Sequence, residues 1–359
     1  MDILNFLGAV KAPTGIWASI INWLDGGIAS YALVIILLTL IIKLVMVPFD
    51  FYNRFVTKKN SMMMAKIQPE LNKINKTYAN NPNVKNQKTA ELYKKHNYNV
   101  YGTCIGMLVY MVLSMVIFFT LFNTLRGMSA YKISQEFETL SATYNETYNA
   151  YYGSYETDKA NDVALLEITA EEYAKAKAEE SVVNKYSEIK QGFLWIKSIW
   201  RADTYQSVTL SYKDYISTIK QFSDTKDEAV IKQEITQENY EKVMTPIQNA
   251  NSGWNGYFLL AIINAVLSVL SMYLTELVAK KRAKKKGVQH VNTTNKVMMF
   301  VMPVILAIFT IFYNSAFGIY IVAGSLFSTI TSPLISWTVD CIMDKREEKK
   351  QSKKPNYSR

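Results

Sequence analysis

Cysteine and histidine are nearly missing from this chain of 359 residues, at two each, and glycine is held to 14. So few thiols and imidazoles cannot build a disulfide framework or a zinc-finger array, and the scattered glycines leave no Gly-rich nucleotide-binding repeat. Enzyme signatures are lacking too. There is no HExxH, GxSxG or P-loop pattern, the acids of the central segment show no metal-ligand spacing, and His96 and His290 fall in separate polar loops. Catalysis, a metal and a cofactor are therefore not expected. The N-terminus has neither a basic region followed by a small-residue cleavage site nor the Arg/Ser bias of a transit peptide, so no cleaved leader is expected.

What the chain does have is apolar length. Apolar residues make up 49%, yet mean hydropathy is -0.01 because polar blocks dilute the apolar ones. Five stretches are long enough to cross a hydrocarbon core of about 30 Å, which takes roughly 20 helical residues. They are residues 29–49, 103–125, 256–276, 297–313 and 317–337. Only Asn314, Ser315 and Ala316 separate the last two, which predicts a tight helical hairpin. Irregular backbone cannot face lipid, so each stretch is read as a helix and the fold class as an all-α integral membrane protein with five spans.

Loop charge sets the expected orientation. Residues 53–100 hold ten Lys/Arg against two acids, residues 278–296 hold seven against none, and residues 340–359 hold seven against four. Residues 126–255 instead hold 14 against 20, and the first 28 residues have one Lys and two Asp. The expected layout is then an exterior N-terminal segment (1–28), a basic cytoplasmic hairpin (50–102), a mostly helical exterior insertion (126–255), a basic cytoplasmic loop (277–296) and a basic cytoplasmic tail (338–359). An outside N-terminus and five spans put the C-terminus inside. Cys104 falls within a span and Cys341 at a cytoplasmic end, so no exterior disulfide is expected.

The polar segments carry finer patterns. Ile16, Trp17, Ile20, Ile21 and Leu24 recur at helical spacing before Gly26-Gly27, predicting a short amphipathic helix in the outer interface or packed on its own protein. In the first cytoplasmic segment Ile67, Leu71, Ile74 and Tyr78 share one helical face, which a second helix must cover. The breaker run Asn80 to Asn83 separates that helix from a return over Ala90 to Tyr98. Met62, Met63 and Met64 near its base read as packing rather than as a flexible apolar acceptor. Thr169 and Glu172 form a capping-box pattern opening a helix toward Ile189. Trp195, Ile196, Ile199 and Trp200 suggest either an amphipathic element on the outer membrane surface or a small core under the exterior segment.

Lys43 is the only basic residue inside any of the five stretches. Six residues from the inner end of its span, it lies about 9 Å above the cytoplasmic edge, within reach of a snorkelling stem. A charge at depth costs about 2.5 to 3.5 kcal/mol on insertion scales, which favours a water-filled cavity instead. Thr39 lies one turn above and Asp50 two turns below on the same face. The residues alone leave both readings open.

The run KIQPELNKINKTYANNPNVKNQKTAELYKKHNYNVYGTC (Lys66 to Cys104) resembles the loop and second span of the YidC family of membrane-protein insertases. LTLIIKLVMVPF, closing on Pro48-Phe49, is similar to that family's first core span. FLWIKSIWRAD (Phe193 to Asp203) and NGYFLLAII (from Asn255) resemble its approach to the third span, and Met298 to Ser328 its closing hairpin. Most of the exterior segment lies outside the resemblance. The family likeness implies a hydrophilic groove, open to the cytoplasm and lipid, in which Lys43 stands at the family's basic position, usually arginine, with Thr39, Tyr110 and Ser325 as groove polar groups. It implies a hairpin built around Ile67, Gln68, Pro69, Glu70 and Leu71. Gly106, Tyr110 and Val112 depart from the family's usual Pro, Gln and Pro.

The function these observations imply is insertion and folding of membrane proteins through that groove, alone or with the Sec translocon. The implied location is a bacterial plasma membrane. Nascent membrane proteins are the implied partners, with anionic lipids, the Sec translocon and the ribosome as candidates for the basic loops, and no DNA. Two other classes stay open from the residues. One is a small-anion transporter or channel using Lys43, against which stands the lack of internal repeats. The other is a surface receptor acting through residues 126–255.

Overall fold

A computed structural model describes residues 10–96, 98, 100–160, 167–224, 227–285 and 296–352. Eleven helices run through the described residues: α1 (Ile16–Asp25), α2 (Tyr31–Thr77), α3 (Pro82–Lys95), α4 (Val100–Lys159), α5 (Ala170–Ile189), α6 (Tyr212–Phe222), α7 (Glu228–Glu234), α8 (Gln237–Ala250), α9 (Leu259–Lys285), α10 (Lys296–Phe312) and α11 (Ser315–Ser352). The fold is all-α. β-Pairing among the described residues is limited to two isolated bridges, Val10 with Ser223 and Phe193 with Ile196.

Helices α2, α4, α9 and α11 are each long and apolar enough to cross a membrane. The remaining expected span is the shorter α10, whose 17 residues sit at the lower edge of the spanning range of about 17 to 25. The helices run on past the expected ends of several spans. The run ending at Pro48-Phe49 does not close its helix, because α2 continues for 47 residues through Pro48 and Pro69. Both prolines are exposed, so the carbonyls they leave unbonded face outward rather than into packing. Likewise α4 runs 60 residues from the second span into the central segment, and α9 and α11 extend to Lys285 and Ser352, into the expected basic loop and tail, whose residues 286–295 and 353–359 lie outside the described residues. The return helix of the hairpin starts at Pro82, earlier than Ala90: Asn81 Oδ1 accepts from the Val84 N–H at 3.3 Å, and Pro82 sits where no backbone donor is needed.

By packing the chain divides into two compact units. The first comprises Met1–Thr39, Thr120–Val266 and Val301–Ala323. Its core gathers the buried rings of Phe137, Tyr215 and Tyr240 with Leu140, Val182, Ile219 and Ile247. The capping box at Thr169 and Glu172 opens α5 as expected. On α1, Ala18, Ile21 and Leu24 face inward and the Trp17 indole donates to Thr120 Oγ1 at 2.9 Å, whereas Ile16 and Trp23 stand exposed.

The stretch from 190 to 211 is irregular, and of the two readings of Trp195 to Trp200 its burial agrees with the small core and not with the amphipathic surface element. Ile196, Ile199 and Trp200 are buried, and the backbone is held by side chains in place of a helical ladder. Asn255 accepts from the Ser198 N–H at 2.8 Å and donates to the Ser198 and Ala202 carbonyls at 3.0 and 2.9 Å. Asp203 accepts from the Trp195 indole and from the backbone N–H groups of Tyr257 and Leu260, so a carboxylate caps the start of α9. The Arg201 carbonyl accepts from Ser315, and the Ile199 carbonyl from Ala316, at the tight α10–α11 turn.

The second unit comprises Leu40–Phe119, Leu267–Phe300 and Gly324–Arg359. Its seam packs Ile335, Val339 and Met343 of α11 against Val47, Phe51, Phe55 and Met62 of α2, so Met62 is a packing residue. Acids of the expected basic tail act as clamps. Lys58 pairs with Asp340 at 2.9 Å, Lys66 with Glu347 at 2.8 Å, and Arg282 of α9 with Asp344 at 2.6 Å.

Candidate functional site

The second unit holds the polar residues that share its apolar helices. Lys43 and Asp50 leave α2 two turns apart on one face, and the ammonium and carboxylate are electrostatic neighbours. One turn further on, Asp50 Oδ1 accepts from Arg54 Nε at 2.9 Å. The Arg54 fork then crosses to α11, where Nη1 donates to Ser336 Oγ and Nη2 to Ser332 Oγ, each at 2.9 Å. Ser332 and Ser336 are one turn apart, so the planar guanidinium meets both hydroxyls at once, which a lysine could not do. Tyr110 of α4 is hydrogen-bonded with Ser114 and lies within electrostatic reach of Asp50 and Arg54.

Exposure explains how such a cluster lies in an apolar bundle. Lys43 and Tyr110 are half-buried, whereas Leu44, Val45, Val109 and Val112 beside them are exposed. Apolar side chains therefore face outward and the charges face one another, the arrangement that makes ionisable groups tolerable at membrane depth. Of the other expected groove residues, Thr39 is buried and its hydroxyl donates to the Ile35 carbonyl at 2.7 Å, so its proton is used within α2. Ser325 is half-buried on α11, and its carbonyl accepts from Thr329 Oγ1 at 2.8 Å. Lys43 and Tyr110 are thus brought together around Asp50, while the contacts from α11 come from Ser332 and Ser336.

Arg54, Ser332 and Ser336 escaped the sequence reading, which counted Arg54 among loop charges. The signal was present. Asp50 and Arg54 have ion-pair spacing, and Arg54 lies 11 residues from Lys43 on the same helical face.

In the hairpin of α2 and α3, Ile67 and Leu92 are both buried, with Leu71, Ile74 and Tyr78 half-buried along the face of Ile67. Gln68, Pro69 and Glu70 point outward. Gln68 donates to Asn72 Oδ1 at 3.0 Å, and Glu70 reaches across to Lys95 Nζ and His96 Nε2, each at 3.6 Å. No group of three or more His, Cys, Asp or Glu suited to a metal occurs among the described residues.

Comparison with known proteins follows this geometry. The chain is 36% identical over 94 residues to the membrane protein insertase YidC of Fusobacterium nucleatum, covering 26% of this chain and 44% of that protein. It is 38% identical over 80 residues to the YidC of Clostridium tetani, covering 22% and 34%, and 31% identical over 111 residues to that of Clostridium perfringens, covering 28% and 45%. Each match spans less than half of the relative's length. No solved structure matches the chain. The profile of the family described as 60Kd inner membrane protein matches residues 23–340, nearly the whole of what has been described, and the chain therefore belongs to the YidC family of membrane insertases.

Proposed function

We propose that this protein inserts membrane proteins by receiving the polar flank of a client at the Lys43, Asp50, Arg54 and Tyr110 cluster while the client's apolar helix leaves along α9 and α11. The observation that carries this is a charged cluster enclosed by helices whose outward faces are apolar. Exposed apolar residues recur at one-turn spacing on α9 (Ile262, Val266, Leu270) and on α11 (Leu326, Ile330, Leu334), which suits sliding contact with another helix. Lys43 attracts acidic flanks as a point charge, with Ser325 as a further polar contact, while the buried Thr39 stays bonded within α2. The surrounding hairpin, Ile67 to Leu71 with α3, presents its outward Gln68 and Glu70 to arriving clients.

Driving energy needs no nucleotide. Burial of the client helix in lipid supplies about 25 cal/mol per Å² of apolar surface, and the membrane potential adds about 2.3 kcal/mol per charge per 100 mV. In this reading α10 is the fifth span, the N-terminus and residues 126–255 lie outside, and the basic ends of α2, α9 and α11 lie in the cytoplasm. There they meet anionic lipid, with the ribosome and Sec translocon as further partners.

A photocrosslinker at position 43, with position 44 as the outward-facing control, tests the reading during synthesis of a short membrane protein. Crosslinks from 43 to the client's polar flank are expected. Crosslinks to a client from neither position, or only from 44, would overturn it.

A further inference from the structure

The first unit holds a second charged recess that insertion does not use. It is a cavity of about 180 Å³ lined by Arg126, Arg201, Gln221 and Trp200, with Phe312 and Tyr313 on its wall. Arg126 is held in place without being neutralised: its guanidinium lies 5.4, 5.6 and 5.7 Å from the ring centres of Phe122, Phe222 and Tyr313, and Nη2 donates to Gln221 Oε1 at 2.9 Å. Arg201 is partly buried and donates Nε to the Ser207 carbonyl at 3.1 Å. Burial pulls its pKa down, against the opposing pull of Asp214, Tyr240 and Tyr186.

Arginine ion pairs among the described residues form at Arg54 and Arg282, but no carboxylate of the described residues lies within 4.0 Å of Arg126 or Arg201. Two guanidiniums facing one recess with no acid between them are costly to desolvate unless an anion completes the set. Their planar forks match the oxygens of a phosphate.

Location says where that phosphate comes from. Arg126 directly follows the apolar run 103–125, so it stands at the level where the hydrocarbon ends and lipid headgroups begin. Phe312, at the end of α10, is 77% exposed and walls the same recess, giving acyl chains an apolar neighbour beside the charge. We propose that the Arg126–Arg201 recess binds the phosphate of a membrane phospholipid. This holds whichever side of the membrane the recess faces, and it is independent of the insertase reading.

The test is calorimetric titration of the full chain in a neutral maltoside detergent. The probes are short-chain phosphatidylglycerol, the matching diacylglycerol, water-soluble glycerophosphoglycerol and inorganic phosphate. Phosphatidylglycerol should bind at least tenfold more tightly than diacylglycerol and than either soluble phosphate. Gln221→Glu places a carboxylate beside Arg126 and should weaken lipid binding about tenfold while leaving the melting temperature at or above wild type. Arg126→Gln should weaken it by a similar factor. Equal binding of phosphatidylglycerol and diacylglycerol, or unchanged affinity in both variants, overturns the site. Inorganic phosphate binding as tightly as the lipid, or displacement of the lipid by an acidic peptide at equal concentration, overturns the lipid assignment.

Discussion

Asp203 and Gly256 approach so closely that a β-carbon on Gly256 would clash with Asp203 Oδ1 and lie 2.8 Å from its Cα. The carboxylate uses that closeness to reach two backbone N–H donors at the start of α9 along with the Trp195 indole, and the next residue but one, Phe258, takes a left-handed φ of 61° to close the turn. Gly256→Ala forces the two strands of this junction apart, a clash of the kind that costs about 1 to 3 kcal/mol or more. Asp203→Asn leaves one of those donors facing an NH₂ group, at about 1 to 3 kcal/mol. Both variants should melt well below wild type in detergent, and a wild-type melting temperature for Gly256→Ala would show that the junction yields freely.

Glu136 makes a pH prediction. Burial pushes its carboxyl up to about 8, against the hydrogen bond from the Trp200 indole and the nearby Lys132 ammonium, which pull it down. Its folded pKa therefore exceeds its unfolded one, and folding takes up a proton between the two. The stability that Glu136 contributes is full below the ordinary carboxylate range, falls as pH rises to about 8, and changes no further above that. Glu136→Gln imitates the neutral acid and should remove this slope, melting above wild type near pH 9. Parallel melting curves from pH 5 to 9 would contradict the assignment.

Much of the architecture was legible because helical periodicity and apolar length are local signals. The capping box at Thr169, the amphipathic face of α1 and the tight turn at Asn314 all follow from residues within a few positions of one another. What was not legible depends on partners distant in sequence. Arg54 reads as one more loop cation until Ser332 and Ser336 stand opposite, and Asp340, Asp344 and Glu347 read as diluting a basic tail until each meets its base. Trp195 to Trp200 has helical spacing, but the bonds from Asn255 and Asp203 supply what a helix would and hold an irregular path. The cluster around Lys43 was half visible: its α2 side repeats along one helix, whereas its α11 side does not.

Arg54 should matter through its fork. Arg54→Lys keeps a charge for Asp50 but cannot reach Ser332 and Ser336 together, and Arg54→Ala leaves Asp50 without its cation. Losses of about 1 to 3 kcal/mol are expected for Ala and less for Lys, read as melting temperature in detergent. Equal melting of all three proteins would mean the cross-helix bonds carry no stability.

For the hairpin the decisive residue is Ile67, fully buried, more than Leu71, which is half-buried. Ile67→Asp puts an unpaired carboxylate in the seam with Leu92 and should expose the α2–α3 turn to protease while the membrane-spanning helices stay inserted. Glu70→Ala removes only the solvent-facing contacts at 3.6 Å to Lys95 and His96 and should change protection by a few tenths of a kcal/mol at most. If Ile67→Asp and Glu70→Ala were cleaved alike, the seam would not be what holds the hairpin.

Lys43 separates the insertion mechanism from its competitors. Asp50 acts electrostatically on its ammonium, so in the proposed mechanism a client's acidic flank competes with an internal carboxylate, and a modest net attraction is expected, about 1 kcal/mol or several-fold in efficiency. Lys43→Arg keeps the charge and should retain activity. Lys43→Ala should impair clients with acidic translocated flanks several-fold and spare those with neutral ones. Lys43→Glu adds a second carboxylate beside Asp50 and should be worse than Ala, with partial rescue when basic residues are added to the client's flank. A lysine that merely snorkels predicts instead that Ala is harmless for every client, and a small-anion carrier predicts lost anion uptake with insertion untouched. Protease protection of a panel of short membrane proteins, synthesised with vesicles carrying each variant, reads these outcomes directly. Equal insertion of acidic and neutral clients by wild type, Ala and Glu variants would remove the groove charge from the mechanism while leaving the family assignment in place.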